Sequence, residues 1–182
     1  MRNLCQLSLL ILFFILVGCS NSTGYKNEDV VAIVRGEEIT IGDLRFLYPD
    51  EKIMDAIEGT VKAVLVIQEA RKLKIDVAEE VQEIIEEHPT YPAEEDASPV
   101  AEMIRNFADS QAKKLGMEPE DYYKKYIEAT SEGMAYMNAY VQEIVGEFQG
   151  DIDDIDEYNE QGNKVLNELV AKYKDEIKIF IK

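Results

Sequence analysis

The chain has 182 residues, with 19 Lys and Arg against 37 Asp and Glu, a formal charge of −18 and a single histidine. A surface this acidic repels phosphate backbones and anionic headgroups, which excludes nucleic-acid binding and a polybasic membrane contact and leaves basic or neutral partners. The length suits one domain with a usable core, and a lone histidine cannot found a hydrolase argument.

Arg2 is a minimal positive start, Leu7 to Val17 is an almost unbroken apolar run, and Leu16-Val17-Gly18-Cys19 closes it as a lipobox. The run falls short of the about 20 residues that a membrane-spanning helix needs. A small residue before a cysteine suits a signal peptidase. Residues 1–18 are therefore expected to be a lipoprotein signal peptide, with Cys19 carrying a diacylglyceryl thioether and acyl chains such as palmitate. That anchors the protein to the extracytoplasmic face of a bacterial membrane. Cys5 leaves with the signal, so neither a free thiol nor a disulfide is expected afterwards. Residues 19–29, polar and without apolar period, read as a flexible lipidated tether, and residues 30–182 as a single domain.

Val30 to Val34 alternates and is β-branched, which favours a strand; Arg35-Gly36 supplies the reversal into Glu38 to Ile41. Gly42-Asp43 starts a short helix carrying Leu44, Phe46 and Leu47 until Pro49. Asp50 is placed as the cap of a long helix ending near Lys74, with Ile53, Ile57, Val61, Val64, Leu65 and Leu73 at helical spacing. Ala63 to Ile67 is apolar almost all round, so this helix is expected to be buried on more than one side and to form the central post. Asp76 is placed as N-cap of a helix over 77–87, with Glu79 as its capping-box partner. His88 to Ala97 is a loop, and His88 at the helix end reads as a structural or surface residue.

Ser98-Pro99 starts a helix whose apolar face is drawn through Val100, Met103, Ile104, Phe107, Gln111 and Leu115 until Gly116. Glu118-Pro119 opens another carrying Tyr122, Tyr123, Tyr126 and Ile127. After Ser131 a heptad follows, with Met134, Met137, Val141, Ile144 and Phe148. The acidic run 150–157 fails as an EF-hand, because Ile155 and Asp156 stand where an oxygen ligand and a glycine are required, so no metal or cofactor is expected. Ile155, Tyr158, Gly162, Val165, Leu169 and Tyr173 mark a last long helix. Ile177, Ile179 and Ile181 then alternate as a terminal strand, whose partner is the N-terminal hairpin. The fold class is mainly α (α+β), with a small β element pairing the N-terminal hairpin and the C-terminal strand.

The methionines and tyrosines admit two readings. Met103, Phe107, Met117, Tyr122, Tyr126, Met134, Tyr136, Met137 and Tyr140 line an adaptable apolar cradle, or they fill the core as stripes at helical spacing usually do. A surplus over core needs would show as an exposed apolar surface.

Val31-Ala32-Ile33-Val34-Arg35-Gly36-Glu37-Glu38-Ile39-Thr40, and Val66-Ile67-Gln68-Glu69-Ala70-Arg71-Lys72-Leu73-Lys74-Ile75-Asp76-Val77 at the end of the long helix, resemble the N-terminal region of the SurA/PrsA family of extracytoplasmic chaperones. Leu166 to Ile181, a helix running into an isoleucine-rich strand, is similar to that family's C-terminal segment. The chain departs from the family pattern at Lys74, where glycine is common, and at Arg35, where asparagine is common. It also lacks the parvulin prolyl-isomerase domain that many members insert before the last helix, together with that domain's histidines. The resemblance implies a SurA N-terminal-like helical domain with no catalytic residues and no isomerase activity. It further implies a chaperone-like lipoprotein that binds unfolded or nascent secreted proteins through apolar grooves between helices, with Met103, Phe107, Tyr122, Tyr126, Met134, Tyr136, Met137 and Tyr140 as the client-binding set. The alternatives are a dedicated adaptor for one envelope partner and a degenerate isomerase relative. A homodimer with an exchanged helix also stays open.

Overall fold

The computed structural model describes residues 24–88, 90–151 and 155–181. The expected signal peptide, the expected lipidation at Cys19 and residues 152–154 of the acidic run lie outside them.

β1 (Val30–Val34) and β2 (Glu37–Thr40) form a hairpin whose two-residue loop has positive φ at both positions, 51° at Arg35 and 89° at Gly36. This is the backbone of a turn whose twist matches its strands, and it is why a glycine stands there. β3 (Ile177–Ile179) pairs antiparallel with β1, Val34 opposite Ile177 and Ala32 opposite Ile179, so the sheet order is β2-β1-β3. The two distant segments expected to pair do so.

Thr40 caps α1 (Ile41–Leu47): its Oγ1 accepts from the Asp43 N–H, and the Asp43 carboxylate accepts from the Thr40 N–H at 2.8 Å. α2 (Ile53–Leu73) is the central helix, and it buries Ile57, Val61, Leu65 and Val66 against the sheet side. Asp50 does not cap it. It sits in a 3-10 turn before α2, where its carboxylate lies 3.2 Å from Lys114 Nζ. α2 ends at Lys74, which takes a left-handed conformation (φ 61°), with the Ile75 N–H donating back to the Ala70 carbonyl. The left-handed cap usually falls to glycine because a Cβ crowds the following carbonyl.

α3 (Ala78–Glu87) starts one residue later than expected. Val77 is its N-cap, and Asp76 only accepts from the Ala78 N–H, so the capping box with Glu79 does not form. α4 (Pro99–Leu115) is capped by Ser98 and closed by Gly116 as its sequence indicates. Its buried stripe, however, runs through Ala101, Ala108, Gln111 and Ala112, while Val100 and Met103 are exposed. Small side chains let α4 approach α5 (Pro119–Val145) closely, and the large residues turn outward. α5 is one continuous helix, and beyond Ile127 it buries Ser131, Ala135 and Tyr140. The heptad therefore faces the core only in part: Met137 packs against the larger core, but Met134 and Ile144 are exposed, and Phe148 lies past the helix end. α6 (Ile155–Lys172) packs beside α5, and a Cβ added at Gly162 would stand 3.2 Å from a Val141 methyl.

Residues 25–29, expected to belong to the tether, make contacts with the domain. Buried Arg45 donates to the Asn27 side chain at 2.6 Å and to the Tyr25 carbonyl at 2.8 Å, and Gly42 N–H donates to the Asn27 carbonyl. Residues 25–29 are thereby docked on α1.

Glu69, 5% exposed, joins the ends of the chain. Arg35 Nη1 lies 2.7 Å from its Oε1, Lys72 Nζ 3.5 Å away, and Lys172 Nζ 3.6 Å from Oε2. The Arg35 guanidinium also lies 4.3 Å from the Tyr173 ring centre. Burial pushes the Glu69 pKa up, but hydrogen bonds from Tyr173 and Arg35 and the charges of Lys72 and Lys172 outweigh it and hold the carboxyl below its ordinary value.

Two predictions follow from these backbone and charge positions. Arg35 and Lys74 share a left-handed backbone, yet Lys74 makes no ion pair among the described residues. Lys74→Gly is expected to raise stability by about 1 kcal/mol, and Arg35→Gly to lower it by about 2 kcal/mol through loss of the charged hydrogen bond. Urea unfolding of the two variants measures this, and equal signs would contradict it. Because the folded pKa of Glu69 lies below the unfolded value of 4.5, its ionised form stabilises fully above that value and loses its contribution as pH falls through the folded pKa. Melting temperatures of wild type and Glu69→Gln should differ at neutral pH and converge as the pH falls below 4.5 and through the folded pKa of Glu69.

Candidate functional site

α5 is long enough to serve two cores. Its first half packs Tyr122, Tyr123 and Ile127 against Ala108 and Ala112 of α4. Its second half joins Tyr140 to the core of α2, α6 and the sheet. The two cores do not merge, and the gap between them is a groove of about 840 Å³ walled by α2, α4 and α5. α2 supplies Ala63, Val64 and Ile67, α4 supplies Met103, Ile104 and Phe107, and α5 supplies Tyr126, Met134 and Met137. Met103 is 65% exposed and Met134 45%, so their thioethers face the opening. Phe107 and Tyr126 meet edge-on at 5.0 Å between ring centres and stiffen one wall. Burial and the nearby Tyr48 push the Tyr126 pKa up, and burial with the nearby Tyr126 does the same for Tyr123, so both lining phenols are neutral at physiological pH.

Five of the eight side chains expected to hold a client meet here: Met103, Phe107, Tyr126, Met134 and Met137. Three do not. Tyr122 is fully buried: its hydroxyl donates to the Phe46 carbonyl at 2.9 Å, and burial pushes its pKa up to about 12 despite a hydrogen bond from Gln111. It fastens the end of α1 to α5. Tyr140 is buried in the larger core, and Tyr136 lies elsewhere under the Arg71 guanidinium, 5.3 Å from its ring centre. Met117 packs against the smaller core. The α2 wall was absent from the expected set, although the all-round apolar run Ala63 to Ile67 carried its signal: one side faces the core, and Val64 and Ile67 help line the groove.

Met137 and Asn138 also line a second cleft, of about 410 Å³, between α5 and α6. Met137, Val141 and Leu166 are among its apolar residues, and its polar lining includes Asn138 and Gln142 from α5 and Asn159 and Asn163 from α6. No Asp, Glu, Lys or Arg lines either cavity, in a chain of which 31% of the residues are charged. The arrangement can desolvate apolar side chains and offers them adaptable thioethers and ring faces. Among the described residues no group of three or more His, Cys, Asp and Glu is placed to hold a metal ion, and no helix is long and apolar enough to cross a membrane. No family model, curated protein or solved structure matches the chain.

The two tyrosines that stack at 5.9 Å should respond differently to loss of the hydroxyl. Tyr122→Phe removes the 2.9 Å bond to the Phe46 carbonyl, which keeps only a 3.4 Å contact from Gln111, and is expected to cost about 1 kcal/mol. Tyr126→Phe, in the groove wall, is expected to stay within about 0.5 kcal/mol of wild type. Chemical denaturation of both variants checks the assignment of one to the core and the other to the lining.

Proposed function

We propose that the protein is a lipid-anchored, extracytoplasmic, chaperone-like holder of unfolded or partly folded secreted polypeptides, and that the groove between α2, α4 and α5 is where a client's apolar side chains are held. The observation that carries this reading is the methionine-bearing groove, free of Asp, Glu, Lys and Arg, set in a strongly acidic surface. Methionine and aromatic walls accept many side-chain shapes, which suits many clients better than one. The surrounding negative charge attracts basic segments and repels acidic ones.

The backbone also supports the kinship on which the reading rests. The two places where the chain departs from the SurA/PrsA pattern, Arg35 and Lys74, are the non-glycine residues with positive φ among the described ones. Asparagine and glycine, the residues common there in the family, are those that tolerate this conformation best. The interval from the end of α5 at Val145 to the start of α6 at Ile155 is too short for an inserted catalytic domain, which favours a holder over an isomerase.

The test is suppression of aggregation. At near-stoichiometric ratio the protein should slow aggregation of several unrelated unfolded proteins. Met134→Glu combined with Met103→Glu, both at exposed positions, should reduce that effect at least several-fold by placing charge in the groove, while leaving the melting temperature near wild type. No suppression, or suppression indifferent to the two substitutions, would overturn the reading; activity confined to one co-purifying partner would instead mark a dedicated adaptor.

A further inference from the structure

The cleft between α5 and α6 differs from the groove with which it shares Met137 and Asn138. Its four amide side chains, Asn138, Gln142, Asn159 and Asn163, stand four residues apart on each helix and are all exposed. None of them makes a hydrogen bond within the chain among the described residues. Each presents both an N–H donor and a carbonyl acceptor, which is the hydrogen-bonding set of a peptide unit. Residues at i and i+4 on a helix are separated by a rise of about 6 Å. Alternate residues of an extended chain repeat every 6.4–6.8 Å, or roughly the same step.

We propose that this amide-lined cleft binds the main chain of an extended polypeptide, with Asn138 and Gln142 on one wall and Asn159 and Asn163 on the other exchanging hydrogen bonds with its N–H and C=O groups. The inference rests on the reading of the adjoining groove as the client site and names what is recognised there: unpaired backbone, which an extended non-native chain exposes along its length. A client helix has no free N–H or C=O along its length to offer. Charge complementarity points the same way. The cleft is lined without Asp, Glu, Lys, Arg or His while the chain carries −18, so the occupant is neutral where it lies in the trough. A neutral glycan would also satisfy amides, but it has no apolar side chains for the methionine-lined groove that shares Met137 and Asn138 with the cleft.

The experiment measures binding of a fluorescent, unstructured peptide containing Leu, Gly and Ser to the full chain in mild detergent, by anisotropy. A second peptide of identical sequence, N-methylated at alternate residues, keeps the side chains and loses those backbone donors. N-methylation is expected to weaken binding about tenfold, the effect of losing two net hydrogen bonds. The double variant Asn138→Ala with Asn163→Ala should bind the parent peptide about tenfold more weakly and no longer distinguish the two peptides. Gln142→Ala with Asn159→Ala is the second pair, and should the first fail to fold it carries the same comparison. If wild type binds both peptides equally, or if both double variants still discriminate between them, backbone capture is overturned; should Met134→Glu still weaken binding, the groove reading stands alone. Failure to bind either peptide overturns both. Binding of a neutral oligosaccharide in place of the peptides, lost in the asparagine variant, would reassign the cleft to a glycan.

Discussion

The buried carboxylate of Glu69 is the constraint on which the arrangement of the elements depends. A carboxylate removed from water costs several kcal/mol unless charges and hydrogen bonds replace its hydration. Here the replacement comes from three separate parts of the chain: Arg35 in the hairpin turn, Lys72 on the same helix, and Lys172 with Tyr173 at the end of α6. All of them meet at one carboxylate only when the hairpin, the central helix and the C-terminal segment are in register together. Arg35 accepts a backbone conformation that disfavours it because its guanidinium bonds Glu69 and stacks on Tyr173. Electrostatics overrides local backbone preference at that turn.

With the ends fixed in this way, the middle of the chain is free to do something else. α4 and the first half of α5 make a second, smaller core that stands off from the first, held to it by the continuous helix α5 and by the Tyr122, Gln111 and Lys114 bonds to the end of α1. A groove is what remains when two cores share a helix without merging. Its apolar lining has a physical origin, because the large residues of α4 and α5 that do not fit between the closely packed helices face the gap. Met103 and Met134 are the visible result.

Much of the fold is legible in the residues themselves. The alternation of Val30 to Val34, the Arg35-Gly36 turn and the isoleucines from Ile177 indicate three strands, and only pairing can satisfy a lone terminal strand, so the closure of the sheet is legible as well. Ser98-Pro99 and Gly116 mark both ends of α4 correctly. Side-chain direction is less legible. A stripe drawn through the bulkiest residues of α4 misses that Ala101, Ala108 and Ala112 are the contact face, since close helix packing selects small residues. The heptad after Ser131 misleads for the same reason, with Ala135 buried and Met134 exposed. Asp50 looks like a cap and is drawn away by Lys114, a partner far along the chain that no local pattern reveals. Of the candidate site, the apolar inventory is readable, but the division of Tyr122 from Tyr126 depends on which hydroxyl finds a carbonyl.

The order of the sheet has a kinetic corollary. β1 lies between β2, its immediate neighbour in sequence, and β3, which lies almost the whole domain away. The hairpin can form early, but one edge of β1 stays open until Ile177 to Ile179 arrive, and closing so long a loop is slow. A chain synthesised from its N-terminus therefore delivers the strand that covers this edge last. During that interval the nascent protein exposes an unpaired strand edge of the kind that invites aggregation, and it is itself briefly in need of protection.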